Sequence, residues 1–266
     1  MRKSFQSFIL LGLFGLFIIR SANADEFTQY ADVSLEFNQL VAKTAAQHKM
    51  PRLSDPVVTT LITTMSDHRR FLNVHDFSVS VLGEVMSMCQ TATRVSVSYL
   101  LFDLDKHIDK TNQNPIEITR RTSDVAASNA VTYQDEITPI LSFQYRCLAK
   151  VVPLLSTFVA TLKPEEFTAT RRDGLIQARR GAFTSFVGVI QTATETAISL
   201  HNRRLMFDVM AEVTPFYSQI LDLPSRKQIL EHLNSRAGSI PKEFSDQYQQ
   251  VVKDLGSTTC EALCRL

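Results

Sequence analysis

The sequence predicts an all-α protein, a single-domain bundle of roughly seven to nine helices, several of them long. Apolar residues recur at spacings of three and four along most of the chain, as the apolar face of a helix requires. The 266 residues include only 8 glycines, fewer than the turns of a β-rich protein of this size would need. The 9 prolines fall where helices would begin or end. Because no break is long enough to be a linker, residues 25–266 are expected to form one all-helical domain.

Residues 1–24 have the three parts of a cleaved secretory signal peptide. Arg2 and Lys3 supply the positive region, residues 8–19 are uninterruptedly apolar, and residues 22–24 place small side chains at the cleavage site. Twelve helical residues would span only ~18 Å of a hydrocarbon core about 30 Å thick. The sequence therefore predicts an exported protein, periplasmic or extracellular, that does not span a membrane.

Removal of this segment changes the charge of the protein. The full chain has 28 basic and 27 acidic residues and a formal net charge of +1. Three of the basic residues lie in residues 1–24 and none of the acidic ones does, so 25 basic and 27 acidic residues remain, a net charge of −2. A slightly acidic domain is a poor match for the phosphate backbone, so we expect no nucleic-acid partner.

In the first half of the domain, the patterns predict helices over residues 26–48, from Asp55-Pro56 onward, over 77–105 and from Pro115 towards 130. The third of these also allows a strand, because residues 77–81 and 95–99 alternate with period two. Helix is preferred there because apolar residues from Phe77 to Phe102 also follow a three-and-four spacing without a Gly-Pro break. A helix that is apolar on most of its sides is expected in the middle of a bundle, where other helices surround it.

In the second half, helices are expected over residues 138–162, 164–201, 205–222, 225–236 and 242–265. Pro153 predicts a kink in the first of them, because it removes a backbone donor inside the helix. Pro215, Pro224 and the run 238–241 are interpreted as the breaks between the later helices.

Four cysteines, Cys89, Cys147, Cys260 and Cys264, predict two disulfides in an exported protein. If residues 258–265 are helical, Cys260 and Cys264 lie one turn apart, with β-carbons about 5 to 6 Å apart rather than the ~3.8 Å of a relaxed bridge. That geometry favours pairing Cys89 and Cys147 each with one of the C-terminal pair. The alternative, Cys89 with Cys147 and Cys260 with Cys264, stays open. A thioredoxin-like catalytic role is disfavoured, because the C-terminal pair has three intervening residues and does not begin a helix.

One predicted helix contains glycine at every seventh position, Gly174, Gly181 and Gly188. Each glycine costs a helix nearly 1 kcal/mol relative to alanine, so three in register indicate close approach to the backbone. Tight contact with a neighbouring helix is the simpler interpretation. The alternative is a groove for an elongated apolar ligand, with walls formed by Phe183, Phe186, Val187 and Ile190.

Two polar patterns could bind ligands. In the segment 103–109, Asp103 with His107 and Asp105 with Asp109 are spaced to share helix faces, so they could offer metal ligands. The segment matches neither a calcium loop nor a di-iron motif. A solvated helix end with ion pairs is therefore preferred, and no metal is predicted. Arginine pairs at 171/172 and 179/180 could form a basic strip for an anion. Long surface helices commonly contain such residues, so a specific anion site is the less favoured interpretation.

No standard catalytic or cofactor signature occurs in the chain, and the six histidines are scattered. The leading hypothesis is an exported, soluble helical-bundle protein that binds a protein or envelope partner, without a cofactor or catalysis of its own. A second is a carrier that holds a lipid or other apolar small molecule between helices. A third is an enzyme whose site is assembled from dispersed His, Asp and Glu residues.

Overall fold

The fold is all-α, as the sequence predicts. The computed structural model describes residues 24–72, 77–108, 114–260 and 262–265. Within these residues there is no strand, and nine helices are seven residues or longer. Residues 1–23 of the predicted signal peptide lie outside the described residues, and Ala24 is the first residue of the first helix. In the part of the chain that is described, no helix is both long and apolar enough to cross a membrane.

Eleven α-helices occur in the described residues. They are α1 (Ala24–Ala45), α2 (Pro56–Met65), α3 (His68–Leu72), α4 (Leu82–Leu100), α5 (Leu104–His107), α6 (Pro115–Thr132), α7 (Gln134–Thr161), α8 (Ala169–Thr194), α9 (Leu200–Ile220), α10 (Leu223–Ser235) and α11 (Ser245–Leu255). Short 3-10 turns precede α4, α8 and α11 and occupy Ala262–Arg265.

Helix α7 lies at the centre of the bundle, between α4 and α9. From residue 136 to residue 147 all of its residues except 139 and 146 are buried, so this stretch contacts other protein on every side, as a central helix must. α1 and α6 pack against α4, and α2 packs against α1 and α7. On the other side, α8 and α11 pack against α9. Aromatic rings join the layers: the ring of Tyr30 on α1 stacks on that of Phe143 on α7 at a centroid distance of 5.0 Å.

Polar residues at the helix starts explain several boundaries. The Asp55 carboxylate accepts a hydrogen bond from the Val57 amide at 2.9 Å, and Pro56 is the first residue of α2, which confirms the predicted start. Asn114 caps α6 in the same way, before Pro115. The segment with strand-like alternation is a 3-10 turn followed by α4, so the preference for helix is confirmed.

Several predicted boundaries are wrong. The helix expected over 77–105 is α4, Leu82–Leu100, and the helices expected to begin at 138 and 205 begin at Gln134 and Leu200. Pro215 lies inside α9 rather than between helices. The helix expected over 164–201 ends at Thr194, and His201 belongs to α9, whose start is capped by the Ser199 hydroxyl. The last helix ends at Leu255, ten residues earlier than its expected end at 265.

The disulfide pairing that helix geometry favoured is wrong. Cys89 is bonded to Cys147, joining α4 to α7 in the core, and Cys260 is bonded to Cys264. The reason is local: residues 257–260 are not helical and the turn at 262–265 is of the 3-10 type, so the α-helical spacing does not apply. The α-carbons of Cys260 and Cys264 are 5.3 Å apart, within the range of an ordinary disulfide.

The chain from Ser257 to Arg265, here called the C-terminal segment, is held to the bundle by a buried arginine. Arg226 is 3% exposed, and its guanidinium donates to the carbonyl oxygens of Ser257 and Thr259 at 2.9 and 2.8 Å. The same group donates to the carbonyls of Ser218 and Leu221 at the C-terminal end of α9. Carbonyls at a helix end lack hydrogen-bond donors within the helix. The Arg226 side chain supplies donors to these carbonyls of α9 and also holds the C-terminal segment beside them.

Candidate functional site

A cleft of about 230 Å³ lies between α3, α7 and α9. Its lining combines four polar or charged side chains with four apolar ones: His68, Arg146, Lys150 and Glu212, and Leu72, Ala149, Val213 and Phe216. The spacing along α7 explains why the residues of that helix meet here. Positions 142, 146, 149 and 150 share one helix face, and this face points to the gap beside α9.

Arg146 is the fixed charge of the cleft. Its side chain is only 11% exposed, and its Nε donates to the Glu212 carboxylate at 2.7 Å. A second nitrogen donates to the hydroxyl of Ser142, one turn earlier on α7. Hydrogen bonds to a carboxylate and a hydroxyl hold the guanidinium in one orientation, so its position is set before any ligand arrives.

His68 is the first residue of α3 and lies at the edge of the cleft. Burial lowers the pKa of its imidazole, and the nearby Arg146 charge lowers it further, whereas Glu212 acts in the opposite direction. The ring is therefore neutral at pH 7, with one nitrogen able to donate and the other able to accept.

The cleft has one excess positive charge. Arg146 and Lys150 are cations, His68 is neutral, and Glu212 supplies one negative charge that is already paired with Arg146. The apolar half of the lining excludes water from part of the space, which strengthens electrostatic interactions there. A group that combines one negative charge with an apolar neighbour matches this lining.

Glu212 is the one carboxylate in the lining of the cleft. The single carboxylate is committed to Arg146, so it is not free to act as a base towards His68. Across the described ranges, no three or more His, Cys, Asp or Glu residues come together in a way that could hold a metal ion.

The glycine-bearing helix predicted as a ligand groove is α8. Phe186 and Ile190 are fully buried in the core, and a β-carbon at Gly188 would lie 3.2 Å from the Tyr145 hydroxyl oxygen. These three residues therefore face packed protein rather than an open groove. Phe183 and Val187 are half-buried and pack against the core, while Gly174 and Gly181 are half-buried farther along α8. Contact with a neighbouring helix, α7, explains the glycine at position 188.

The aspartate of the predicted polar segment is paired away from His107. Asp103 accepts from Lys106 at 2.6 Å and lies 3.7 Å from the His48 imidazole. The Lys106 hydrogen bond is the main reason why the pKa of Asp103 is lowered. Asp103 and His48 both adopt positive φ, at 58° and 54°. This is the ion-paired helix end that the sequence favoured; Asp109 lies outside the described residues.

The predicted basic strip on α8 is divided between different partners. Arg179 donates to the carbonyls of Ile220 at 3.0 Å and Leu263 at 2.8 Å, and lies 3.3 Å from the Asp222 carboxylate. It is therefore a second attachment point for the C-terminal segment rather than a free cation. Arg171 donates to the Glu166 carbonyl at 2.5 Å and lies over the ring of Phe158.

Sequence reasoning missed the cleft because its charged residues are far apart in the chain. Arg146 and Glu212 are separated by 66 residues, and neither belongs to a recognisable motif. The spacing of Ser142, Arg146 and Lys150 was the available signal, since it places three polar groups on one face of an otherwise apolar helix.

Comparisons with protein-family models, with curated proteins and with solved structures return no match for this chain.

Proposed function

We propose that the protein acts by binding a partner protein, and that the cleft between α3, α7 and α9 receives an acidic side chain of that partner together with an apolar neighbour. The observation that supports this most directly is the orientation of Arg146. Its guanidinium is fixed by Ser142 and Glu212 in the lining of a small cleft, with Lys150 as a second cation. Preorganised charges lose little freedom on binding, so they favour recognition.

The size of the cleft favours a side chain over a whole lipid. Pockets for drug-sized ligands measure roughly 300 to 1,000 Å³, whereas this cleft measures about 230 Å³. A fatty acyl chain would extend well beyond it. The carrier hypothesis therefore has weaker support than partner binding, and the paired Glu212 leaves the enzyme hypothesis weaker as well.

We also propose that the protein binds its partner outside the cytoplasm. Residues 1–24 have the pattern of a secretory signal, and two disulfides with no unpaired cysteine are compatible with an oxidising compartment outside the cytoplasm. The partner would accordingly be an exported or envelope-associated protein.

A peptide titration followed by NMR tests the proposal. The probe is a capped peptide in which one glutamate stands between leucine and phenylalanine, and its control is the same peptide with glutamine. We expect the acidic peptide alone to shift the resonances of residues lining the cleft, with a dissociation constant near millimolar as a single site of this size allows. Decanoate is titrated in parallel as a probe of the carrier alternative.

Lys150→Gln provides the matched variant, because it removes one cation without disturbing the Arg146–Glu212 pair. We expect binding to weaken by about three- to ten-fold. Lys227→Gln on α10 is the control, since Lys227 is 79% exposed and distant from the lining. Equal binding of the two peptides, or an unchanged affinity in Lys150→Gln, would contradict the proposal, and a preference for decanoate would favour the carrier instead.

A further inference from the structure

We propose that the Cys260–Cys264 disulfide is a site of thiol–disulfide exchange, opened by a dithiol reductant while the Cys89–Cys147 disulfide stays closed. The proposal is independent of the cleft, because the two sites share no residue. It assigns to the C-terminal pair the role of a substrate of exchange rather than that of a catalyst.

The two disulfides differ in their burial. Cys89 and Cys147 are each 0% exposed and lie between α4 and α7. Cys260 is half-buried in a non-helical stretch, and Cys264, at 3% exposed, is the inner member of its pair. Exchange requires a thiolate to reach a sulfur along the S–S axis. The C-terminal bridge can be approached from the Cys260 side without unfolding, whereas the core bridge needs α4 and α7 to separate.

The surroundings of the C-terminal bridge are cationic. Arg265 donates to the Cys260 carbonyl at 2.5 Å, and Arg179 donates to the carbonyls of Leu263 at 2.8 Å and Cys264 at 3.5 Å. Two guanidinium groups thus lie against the backbone of the five-residue ring. A positive charge near a cysteine favours its thiolate, so these arginines favour departure of a thiolate from the bridge.

The exchange is a balanced two-electron transfer. A thiolate of the dithiol attacks the Cys260 sulfur, the Cys260–Cys264 bond breaks, and Cys264 leaves as a thiolate. The second thiol of the reductant then attacks the mixed disulfide and releases Cys260. The products are two protein thiols and the oxidised disulfide of the reductant, whose two thiol protons pass to the cysteines.

The exchange loosens the C-terminal segment while the bundle stays folded. Leu263 is 2% exposed, and its carbonyl is held by Arg179 within the ring that the disulfide closes. Opening the bridge removes the covalent link between Cys260 and Cys264 and weakens that contact. The helices do not depend on this ring, because the bridge spans only four positions of the chain.

The test uses the folded, oxidised protein with dithiothreitol as the reductant. Free thiols are trapped by alkylation at successive times, and peptide mapping identifies the modified cysteines. We expect Cys260 and Cys264 to be alkylated on the order of 100-fold faster than Cys89 and Cys147, with far-UV helicity unchanged. Amide hydrogen exchange should rise in residues 257–264 alone.

The variant Cys260→Ser/Cys264→Ser supplies the control. Its remaining disulfide should resist the dithiothreitol concentration that opens the C-terminal bridge of the parent. Reduction of both parent bridges at one rate, earlier reduction of Cys89–Cys147, or opening of the C-terminal bridge only after helicity is lost would each overturn the proposal.

Discussion

The Tyr145 hydroxyl oxygen on α7 lies 3.2 Å from the position that a β-carbon at Gly188 on α8 would occupy. Tyr145 is 4% exposed, and burial raises the pKa of its hydroxyl well above the ordinary value. Glycine inside a helix costs about 1 kcal/mol relative to alanine. Gly188 therefore has a structural explanation: it leaves room for the side chain of the neighbouring helix.

We expect Gly188→Ala to lower the free energy of unfolding by about 1 kcal/mol, because the close contact with the buried Tyr145 hydroxyl outweighs the gain in helix propensity. In a Tyr145→Phe background the obstructing oxygen is gone, and the same substitution should stabilise by up to about 1 kcal/mol. Urea denaturation of the four proteins gives the double-mutant cycle. Gly83→Ala is the control, since nothing lies within 4 Å of its added carbon. An identical effect in both backgrounds would show that the hydroxyl is not the cause.

The helices were predictable because the apolar spacing and the capping residues that determine them lie close together in the sequence. Apolar spacing gave the fold class, and Asp55-Pro56 and Pro115 mark the starts of α2 and α6. Pro215 misled because its missing amide hydrogen is tolerated within α9, so a proline inside a helical pattern does not always end the helix. Tertiary packing, which the sequence does not display, decides such cases.

The disulfides and the cleft were less predictable because they depend on chain conformation and on distant contacts. The favoured pairing assumed an α-helix over residues 258–265, whereas carbonyl contacts to Arg226 and Arg179 hold that stretch in a non-helical path. Likewise, Arg146 and Glu212 meet only because α7 and α9 pack side by side. Neither relationship has a sequence period that could reveal it.

The imidazole of His232 on α10 predicts a loss of stability in acid. Its Nε2 is buried without a hydrogen-bond partner among the described residues, and burial, followed by the Arg236 charge, lowers its pKa below 6.5. Above pH 6.5 the ring is neutral in both the folded and unfolded states. As the pH falls below 6.5 the unfolded chain takes up the proton first, so stability declines until the folded-state pKa is reached.

Thermal unfolding between pH 7.5 and 4.5 measures this effect. We expect His232→Leu to be less sensitive to acid than the parent, with the two curves separating only below pH 6.5. His201→Gln, which replaces an exposed histidine of α9, should follow the parent. Parallel curves for the parent and His232→Leu would mean that His232 does not contribute to the acid response.

We expect the buried guanidinium of Arg226 to contribute strongly to the free energy of unfolding. It donates to four backbone carbonyls, at the end of α9 and in the C-terminal segment. Arg226→Ala removes the donor from these four acceptors and leaves a cavity at a buried position, so we expect the free energy of unfolding to fall by about 3 kcal/mol. Arg180→Ala, at an exposed position of α8, should change it by less than about 0.5 kcal/mol. Chemical denaturation compares the two, and a small effect of Arg226→Ala would indicate that water replaces the guanidinium at these carbonyls.

The two disulfides predict unequal contributions to stability. The Cys89–Cys147 bridge closes a loop across 58 positions, whereas Cys260–Cys264 closes one across 4. In the chain-entropy model, closing these two loops raises the free energy of unfolding by about 4 and about 2 kcal/mol respectively. The difference arises because the entropy that the unfolded chain loses grows with the logarithm of loop length. We therefore expect Cys89→Ala/Cys147→Ala to lower the free energy of unfolding by roughly twice as much as Cys260→Ala/Cys264→Ala. Urea denaturation provides the comparison, and the larger loss in the C-terminal double variant would mean that the bridge acts mainly through the native contacts of Leu263 rather than through the unfolded chain.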